Sequence, residues 1–284
     1  MTLKFTKAER SKAKLRMALT AVSYGGKTLS SLLMAKGMGG NTALIDTENG
    51  SASLYADHPL LEGWAYDVLE MCAPYSPSRY VEAIRAAEQA GYDNIIVDSL
   101  SHAWSGDGGL LAKVDQHNEK VSNSGWRKMS PEQNRLLEAL SGSKCHVIVT
   151  MRDKTEYSYE KNADGKIEPK KIGLSPIQRP DIEYEFTVVL DLNRDHMATV
   201  SKDRTNIFDK DSVFLLTEQT GRDLKAWLDT GKKAVPKCAR CLRSGTVTES
   251  VEDERNDSGF DLCGPCLEAY VAKKVNVQEQ DNKE

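Results

Sequence analysis

The 284-residue sequence has no apolar run approaching the roughly 18 consecutive residues that a membrane-spanning helix requires. It also lacks a charge excess, since 38 Lys and Arg residues stand against 42 Asp and Glu residues, for a net charge of −4. A nucleic-acid contact must therefore come from a local basic patch. The basic N-terminal segment, residues 4–16, lacks the apolar core of a signal peptide. These absences predict a cytoplasmic protein without a membrane partner.

Six cysteines are present, and four of them form two Cys-x-x-Cys pairs, Cys238 with Cys241 and Cys263 with Cys266. In a sequence without an export signal, such pairs favour a metal ion over disulfide bonds. Four thiolates at this spacing predict tetrahedral Zn²⁺ and a small zinc-ribbon-like module over residues 236–271. Acidic residues dominate between the pairs, so a grip on phosphates is not favoured. A docking surface for a protein partner, such as a single-strand-binding or replication protein, and a purely structural cap both fit.

Short β-branched apolar runs alternate with segments of helical periodicity. Strands are predicted at 17–20, 42–45, 94–97 and 146–149, and helices at 28–38, 78–90 and 131–140. This alternation predicts an α/β fold with a mostly parallel twisted sheet covered by helices on both faces. Past residue 180, a strand pair is predicted at 183–192 and 197–201, with a turn near 193–195 and a helix at 220–228.

These patterns also predict the domain organisation. We expect a core domain over residues 1–230, a linker over 231–235, the cysteine module over 236–271 and a disordered polar tail over 272–284.

The segment between the first predicted strand and the first predicted helix has the pattern of a phosphate-binding loop. It reads Ala21, Val22, Ser23, Tyr24, Gly25, Gly26, Lys27 and Thr28. Small residues here let backbone N–H groups face a β-phosphate at the positive end of the helix. Lys27 is predicted to reach the β- and γ-phosphates of ATP, and the Thr28 hydroxyl to ligate Mg²⁺. Alanine replaces glycine at the first position and disfavours a positive φ, which predicts a slightly altered loop. The alternative is a chance surface turn.

Two carboxylates follow predicted strands near this loop. Asp98 ends the strand at 94–97, at the edge where parallel sheets bind ligands, and is predicted to support Mg²⁺. Glu48 lies just beyond the strand at 42–45 and is predicted to deprotonate the attacking water. The alternatives are a helix cap or turn at Asp98, and a solvent-facing charge at Glu48.

Three stretches resemble, in order, the core of the RecA recombinase family: 21–28, 44–48 with 54–56 after it, and 96–100. The resemblance covers roughly residues 13–215 and is closest to small bacteriophage RecA-like ATPases that serve recombination and strand annealing. It implies a RecA-like P-loop NTPase core, self-association into a ring or filament, and Glu48 as the catalytic glutamate. It also implies that Asp98 supports Mg²⁺ and water.

The resemblance extends to two further elements. In this family the fourth strand ends in a polar sensor of the γ-phosphate, which implies Thr150 or Arg152 here, because the intervening Met151 cannot make that hydrogen bond. The stretch 200–205 resembles the Lys-x-Arg element of hexameric RecA-type helicases. It implies that Lys202 and Arg204 reach the nucleotide of a neighbouring subunit, where cations stabilise transferred charge. An exposed basic turn is the alternative.

Two loops line the DNA path in this family, and they correspond to about 103–130 and 153–180 here. Both combine cations with aromatic rings, which bind phosphates and stack on unpaired bases. The predicted DNA contacts are Trp126, Arg127, Lys128, Lys154, Lys161, Lys166, Lys170 and Lys171. Single-stranded DNA is the expected partner because no base-edge code is evident. The alternative is a solvated charged face, with Trp104 and Trp126 in the core.

The sequence therefore predicts an ATP-hydrolysing RecA-like protein that binds single-stranded DNA and assists homologous recombination or strand annealing, with DNA-stimulated hydrolysis. A replicative helicase or helicase-loading motor is the alternative among enzymes. The alternative that is not an enzyme is a nucleotide-gated adaptor, which binds but does not hydrolyse the nucleotide and recruits partners through the zinc module. Ala21 and Met151 favour this alternative.

Overall fold

The computed structural model describes residues 7–10, 12–120, 124–161, 167–232, 247–253, 258–263 and 265–268. The chain divides into two compact units, Ala13–Thr230 and a second that takes in Met1–Lys12 and Gly231–Glu284. Of the helices in the described ranges, none has the length and apolarity needed to cross a membrane.

Strands and helices alternate through the larger unit. Its strands are β1 (Arg16–Ala21), β2 (Thr42–Asp46), β3 (Asp67–Glu70), β4 (Asn94–Asp98), β5 (His146–Lys161), β6 (Ile167–Pro176), β7 (Val188–Leu192), β8 (Met197–Asp203) and β9 (Val213–Leu215). Its α-helices are α1 (Lys27–Met38), α2 (Pro77–Gln89), α3 (Ser101–Ser105), α4 (Leu110–Lys120), α5 (Gly125–Gly142) and α6 (Glu218–Asp229). Short 3₁₀ helices span Ala52–Tyr55, Pro59–Leu61 and Ile182–Glu185.

The strands form one mixed sheet in the order β3-β2-β4-β5-β1-β7-β8-β9, and β6 pairs with β5 beside this path. Neighbouring strands from β3 to β7 are parallel, whereas the β5–β6, β7–β8 and β8–β9 pairs are antiparallel. Strand β5 thus lies between β1 and β4. The carboxyl ends of the parallel strands meet at one edge, the usual place for a ligand in an α/β sheet.

Both faces of the central strands β1, β4 and β7 are buried, which explains the continuous apolar runs in the sequence. Side chains alternate along β1: Met17 and Leu19 pack in one apolar layer with Leu224 of α6. Ala18 packs in the opposite layer with Tyr80 of α2 and Leu136 of α5. The predicted α/β fold with a mostly parallel sheet is therefore confirmed.

The two segments predicted as DNA-binding loops have regular structure. Residues 103–130 contain α4, the end of α3 and the start of α5, and Lys113 of α4 pairs with Glu132 of α5 at 2.5 Å. Residues 153–161 of β5 pair antiparallel with residues 167–176 of β6, with Asp153 opposite Pro176. The interpretation of both segments as loops was wrong. In the first segment, helical hydrogen bonds satisfy the backbone N–H and C=O groups, and in the second segment, hydrogen bonds between β5 and β6 satisfy them.

Two predicted elements also have different bounds. The strand predicted at 183–192 is limited to β7, because Ile182–Glu185 forms a 3₁₀ turn before it. The helix predicted at 131–140 begins at Gly125, and Pro131 lies inside it. Pro131 is exposed, so water can satisfy the carbonyl that loses its N–H partner.

In the second unit, β10 (Val247–Asp253) and β11 (Ser258–Cys263) form an antiparallel pair. The predicted zinc ligands Cys238 and Cys241 lie outside the described residues, and so does the side chain of Cys263. Cys266 lies in a described helical turn and is half-buried. Within the described ranges, no group of three or more His, Cys, Asp and Glu side chains is arranged to hold a metal ion.

Two glycines allow α1 and α6 to pack closely. A Cβ added to Gly221 would lie 2.3 Å from the Met34 carbonyl oxygen, and one added to Gly37 would lie 1.9 Å from the Glu218 carbonyl oxygen. Both neighbours are helix backbone and cannot move without shifting a whole helix.

We expect Gly221→Ala to lower the free energy of unfolding by about 1–3 kcal/mol, because the methyl group overpacks the contact between α1 and α6. Helix propensity alone would give the opposite sign. Gly142→Ala is the matched control, since no atom lies within 4 Å of its added Cβ. Urea denaturation measures both, and an unchanged midpoint for Gly221→Ala would contradict the close packing.

Candidate nucleotide-binding site

The loop at residues 21–28 connects β1 to α1 at the carboxyl edge of the sheet. Ala21 is the last residue of β1 and is fully buried. A Cβ on Gly25 would lie 2.4 Å from the Cβ of Ala21, so glycine at position 25 accommodates alanine at position 21. The left-handed conformations belong instead to Tyr24, with φ 68°, and Gly26, with φ 77°. Alanine is thus tolerated at position 21 because that residue has strand geometry.

Lys27 and Thr28 open α1 directly after the loop. The Lys27 ammonium donates hydrogen bonds to the carbonyl oxygens of Ala21, at 3.0 Å, and Val22, at 3.2 Å. Burial lowers the pKa of Lys27, although nearby carboxylates, led by Asp98, act in the opposite direction. The Thr28 hydroxyl donates to Asp98 Oδ2 at 2.6 Å. The structure therefore brings Lys27 and Thr28 together with Asp98 at the carboxyl edge of the sheet, and their roles towards phosphate and Mg²⁺ stay predictions.

Asp98 ends β4 and is only 2% exposed. Its two carboxylate oxygens accept hydrogen bonds from the hydroxyls of Thr28 and Thr150. Burial raises the pKa of Asp98, and these two hydrogen bonds partly oppose the shift. Thr150 is fully buried, so its hydroxyl faces the carboxylate instead of open solvent.

Glu48 is presented by a tight turn after β2. The Asp46 carboxylate shapes this turn by accepting hydrogen bonds from the Glu48 N–H, at 2.6 Å, and the Ala52 N–H, at 3.0 Å. Arg152, at the same edge of the sheet, donates from Nε to Glu48 Oε1 at 2.8 Å and from Nη2 to Oε2. Burial would raise the pKa of Glu48, but hydrogen bonds to Arg152 and Ser99 together with the positive charge of Arg152 outweigh burial and hold the pKa below the usual value.

The structure adds a second acidic pair that the sequence analysis missed. The Thr20 hydroxyl lies 2.7 Å from Asp191 Oδ1 and 3.3 Å from Asp153 Oδ2, so it links the ends of β1 and β7 to the middle of β5. Burial and the Asp191 carboxylate raise the pKa of Asp153 to about 6. In the sequence, each of these aspartates follows an apolar run, which was the available signal for a site. That Asp153 and Asp191 lie close together depends on the order of the strands in the sheet.

Two aromatic rings flank the other side of the phosphate-binding loop. The Tyr24 side chain is 80% exposed, and its ring centroid lies 5.4 Å from that of His196. The His196 ring also covers Gly26, because a Cβ there would lie 2.8 Å from His196 Nδ1. His196 belongs to the turn between β7 and β8, and the sequence analysis did not single it out.

Lys202 and Arg204 lie away from this site. Strand β8 runs antiparallel to β7, and Lys202 pairs with Val189 near the start of β7. The Lys202 ammonium donates to the Glu183 carbonyl oxygen at 2.6 Å. Both residues therefore occupy the edge of the sheet opposite to the phosphate-binding loop, on the order of 15 Å away at 3.3 Å per strand residue.

The predicted DNA contacts are only partly described. Trp126, Arg127 and Lys128 are exposed in the first turns of α5, and Lys154 is exposed in β5. Lys166 lies outside the described residues, and the side chains of Lys161, Lys170 and Lys171 lie outside them as well.

The P-loop nucleoside triphosphatase class of fold is defined by a loop that joins a buried strand to a helix that begins with lysine and threonine. It also has a buried aspartate on a nearby strand. This chain has both features, in Lys27 and Thr28 of α1 and in Asp98 of β4. A protein-family model described as an AAA domain matches residues 13–220. The match covers more than half of the chain, so the protein belongs to this AAA domain family.

Among solved structures, the chain is similar to the crystal structure of the RadB recombinase, with 16% sequence identity and a TM-score of 0.42. The match covers 74% of this chain and 90% of that chain. No curated protein matches the sequence.

We expect Asp153→Asn to stabilise the protein at neutral pH. Because folding raises the pKa of Asp153 to about 6, its contribution to stability is present below pH 4 and is lost as the pH rises through 6. The variant removes this loss, so its free energy of unfolding at pH 7.5 should exceed that of the wild type by on the order of 1–2 kcal/mol after solvent screening. Its melting temperature at that pH should be higher as well.

The stability difference should shrink as the pH falls below about 5. Asp107→Asn, at an exposed position, is the control and should show no such pH dependence. A stability gain that is independent of pH would contradict a raised pKa of Asp153 in the folded protein.

Proposed function

We propose that the protein is an ATPase that binds single-stranded DNA and couples ATP hydrolysis to homologous recombination or strand annealing. The observation that carries this proposal is the convergence of Lys27, Thr28, Asp98 and Glu48 at one edge of the sheet. These side chains come from a helix start and from the ends of two strands. The AAA domain match over residues 13–220 supports the nucleotide-binding part of the proposal.

The donor set fits Mg²⁺, which prefers hydroxyl and carboxylate oxygens. The Thr28 hydroxyl and an Asp98 oxygen lie 2.6 Å apart and would hold the ion, with Asp98 anchored from the other side by Thr150. When bound, Mg²⁺ neutralises charge on the β- and γ-phosphates. Lys27 would exchange its bonds to the loop carbonyls for bonds to these phosphates.

Glu48 is the proposed general base, and Arg152 is the proposed sensor of the γ-phosphate. Held by Arg152, the ionised Glu48 is oriented but less basic than a carboxylate without that partner. A γ-phosphate would compete for the Arg152 guanidinium, which pairs well with phosphate oxygens. Transfer of Arg152 to the phosphate would release Glu48 to accept a proton from water. Of the two sensor candidates from the sequence, Thr150 is already committed to Asp98.

Self-association explains the distant position of Lys202 and Arg204. Because they occupy the opposite edge of the sheet, they cannot reach the phosphates of their own subunit. Exposed Arg204 could reach the nucleotide of a neighbouring copy in a head-to-tail assembly. We therefore retain the proposal that these cations act in trans, and the zinc site on the four cysteines also stays a proposal.

We expect Lys27→Ala to abolish ATP turnover, because it removes the cation that holds the phosphates. Glu48→Gln should lower turnover by about 10²–10⁴-fold while ATP binding is retained, since only the general base is lost. Hydrolysis in the wild type should rise when single-stranded DNA is added. Phosphate release measures turnover, and a fluorescent ATP analogue measures binding.

Glu138→Gln, at an exposed position on α5, is the control and should leave turnover unchanged. Wild-type protein that binds ATP but shows no turnover with or without DNA would contradict hydrolysis. That result would favour the nucleotide-gated adaptor, in which the Glu48–Arg152 ion pair keeps the base engaged. Directional unwinding of a forked substrate would instead favour the helicase.

A mixing experiment tests the trans role of Arg204. We expect Arg204→Ala and Lys27→Ala to be inactive alone, whereas their co-expressed mixture should regain roughly a quarter of the wild-type rate. Mixed interfaces combine an intact loop from one subunit with an intact Arg204 from the next. Lys210→Ala, also exposed, should be fully active alone. A mixture without any recovered activity would contradict action in trans.

A further inference from the structure

His102 is a half-buried titratable residue near the proposed general base, and the proposed mechanism does not use it. It is the second residue of α3, the helix that follows β4 at the carboxyl edge of the sheet. The centroid of its ring lies 4.8 Å from that of Tyr75, with 23° between the two ring planes. Stacking of this kind fixes the plane of the imidazole.

The chain that follows α3 holds Tyr75 against the His102 ring. The Tyr75 N–H donates to the Asp107 carbonyl oxygen at 2.7 Å. A Cβ added to Gly106 would lie 2.8 Å from Tyr75 Cδ2 and 2.7 Å from the His102 carbonyl oxygen, so only glycine permits this approach. The His102 ring therefore has little freedom to rotate, and its two nitrogen atoms keep fixed directions.

Thr47 is the polar partner of His102. Its hydroxyl oxygen lies 2.8 Å from His102 Nδ1, and Thr47 is fully buried directly before Glu48 in the chain. The same oxygen accepts a hydrogen bond from the Ser99 N–H at 2.9 Å, so its own proton can be donated. Two acceptors compete for that proton, His102 Nδ1 at 2.8 Å and the Ser99 carbonyl oxygen at 3.2 Å. The shorter distance indicates that Nδ1 accepts, which places the ring proton on Nε2.

The charges that face the ring favour its neutral form. Burial and the positive charge of Arg152 lower the pKa of His102, whereas the negative charge of Glu48 opposes them. Arg152 comes from β5, Glu48 from the turn after β2, and the Tyr75 phenol from the segment before α2. A neutral ring can accept the Thr47 proton through Nδ1. A protonated ring carries N–H groups on both nitrogens and cannot accept it.

The first turn of α3 contacts the chain on both sides of the ion pair between Glu48 and Arg152. Ser101 Oγ accepts from the Arg152 N–H at 2.9 Å. His102 bonds to Thr47, the neighbour of Glu48, and the Thr47 N–H is in turn bonded to the end of β4. The position of Glu48 relative to Arg152 therefore depends on this one turn of helix.

We propose that His102 is a positioning residue for Glu48: neutral His102 accepts the Thr47 hydroxyl proton, and this bond aligns the Glu48 carboxylate with the attacking water. When His102 takes up a proton from solvent, the Thr47 hydroxyl turns to the Ser99 carbonyl oxygen and a second positive charge appears beside Glu48. Both changes reduce turnover. The inference rests on the proposed function and adds a residue to the same site.

Kinetics of ATP hydrolysis test the alignment. We expect His102→Ala to lower kcat about tenfold or more at pH 7.5, because a displaced carboxylate no longer meets the water. The affinity for a fluorescent ATP analogue should change less than about twofold, since alignment of the base is a transition-state effect. His102→Asn should keep most of kcat, because the asparagine carbonyl oxygen can replace Nδ1 as the acceptor.

His58→Asn is the matched control for these variants. His58 Nδ1 also accepts a hydrogen bond, from the Leu60 N–H at 3.2 Å, but it lies outside the nucleotide site. Its kcat and its pH profile should equal those of the wild type.

The pH profile separates alignment from a merely structural role. Wild-type kcat should fall as the pH drops below about 6.5, the ordinary pKa of histidine, with a midpoint below that value. His102→Asn carries no titratable group at this position, so its kcat should persist to the lower pH at which Glu48 itself is protonated. Protonation of ATP affects both proteins equally, so the ratio of their rates isolates His102. A ratio that stays constant between about pH 5 and pH 8 would overturn the proposal, and this comparison does not depend on the alanine variant being folded.

A double-variant cycle tests whether His102 acts through Thr47. Thr47→Val removes the hydroxyl, whereas Thr47→Ser keeps it and should keep most of kcat. If the two residues act as a unit, His102→Ala should cause no further loss in a protein that already carries Thr47→Val. Losses that multiply in the double variant would contradict action through Thr47.

Nitrogen-15 NMR of the histidine side chains, without nucleotide, separates this inference from the proposed function. His102 should be the neutral tautomer with its proton on Nε2 at pH 7.5, and Thr47→Val should shift its Nδ1 resonance. A proton on Nδ1 instead, or kcat unaffected by His102→Ala, would overturn the inference and leave the ATPase proposal standing. Wild-type protein that binds ATP without any turnover would overturn both.

Discussion

Burial of the Asp98 carboxylate between two threonine hydroxyls is the constraint on which the site depends. A carboxylate that is only 2% exposed is tolerated because both oxygens accept hydrogen bonds, one from the first helix and one from the neighbouring strand β5. These bonds couple the start of α1 to the end of β4 and to β5. The same hydrogen bonds that allow the Asp98 carboxylate to be buried therefore also orient the phosphate-binding loop towards the carboxyl end of β4.

Charges of opposite sign are distributed around this anchor in two groups. On the β4 and β2 side, Glu48 is neutralised by Arg152. On the β7 side, the Thr20 hydroxyl lies between Asp153 and Asp191, and burial, followed by repulsion from Asp191, raises the pKa of Asp153. Lys27 lies near both groups and is attracted by Asp98, Asp153 and Glu48. A polyanionic ligand would face the Lys27 ammonium and the Arg152 guanidinium, which already make hydrogen bonds to protein groups. Binding therefore requires these cations to exchange their protein partners for the ligand.

The residues at strand ends could be predicted from the sequence, whereas contacts between them could not. Lys27, Thr28, Asp98 and Glu48 follow from apolar runs with polar residues directly after them, because parallel strands place their carboxyl ends together. The Glu48–Arg152 pair joins residues 104 positions apart and depends on β4 being the only strand between β2 and β5, which periodicity does not encode. The β5–β6 hairpin was missed because a polar, alternating segment such as 153–161 has the composition of a loop, and only pairing with 167–176 makes it a strand.

Arg152 connects the proposed general base to two other segments of the fold. Its side chain contacts the proposed general base, and its backbone is bonded both to α3 and to the chain leaving β6. If Arg152 turns towards a γ-phosphate, as proposed, only its side chain moves, because these two bonds fix its backbone. Glutamine or methionine at position 152 would keep the backbone bonds and lose the ion pair, so the resting state of the proposed base depends on the arginine side chain.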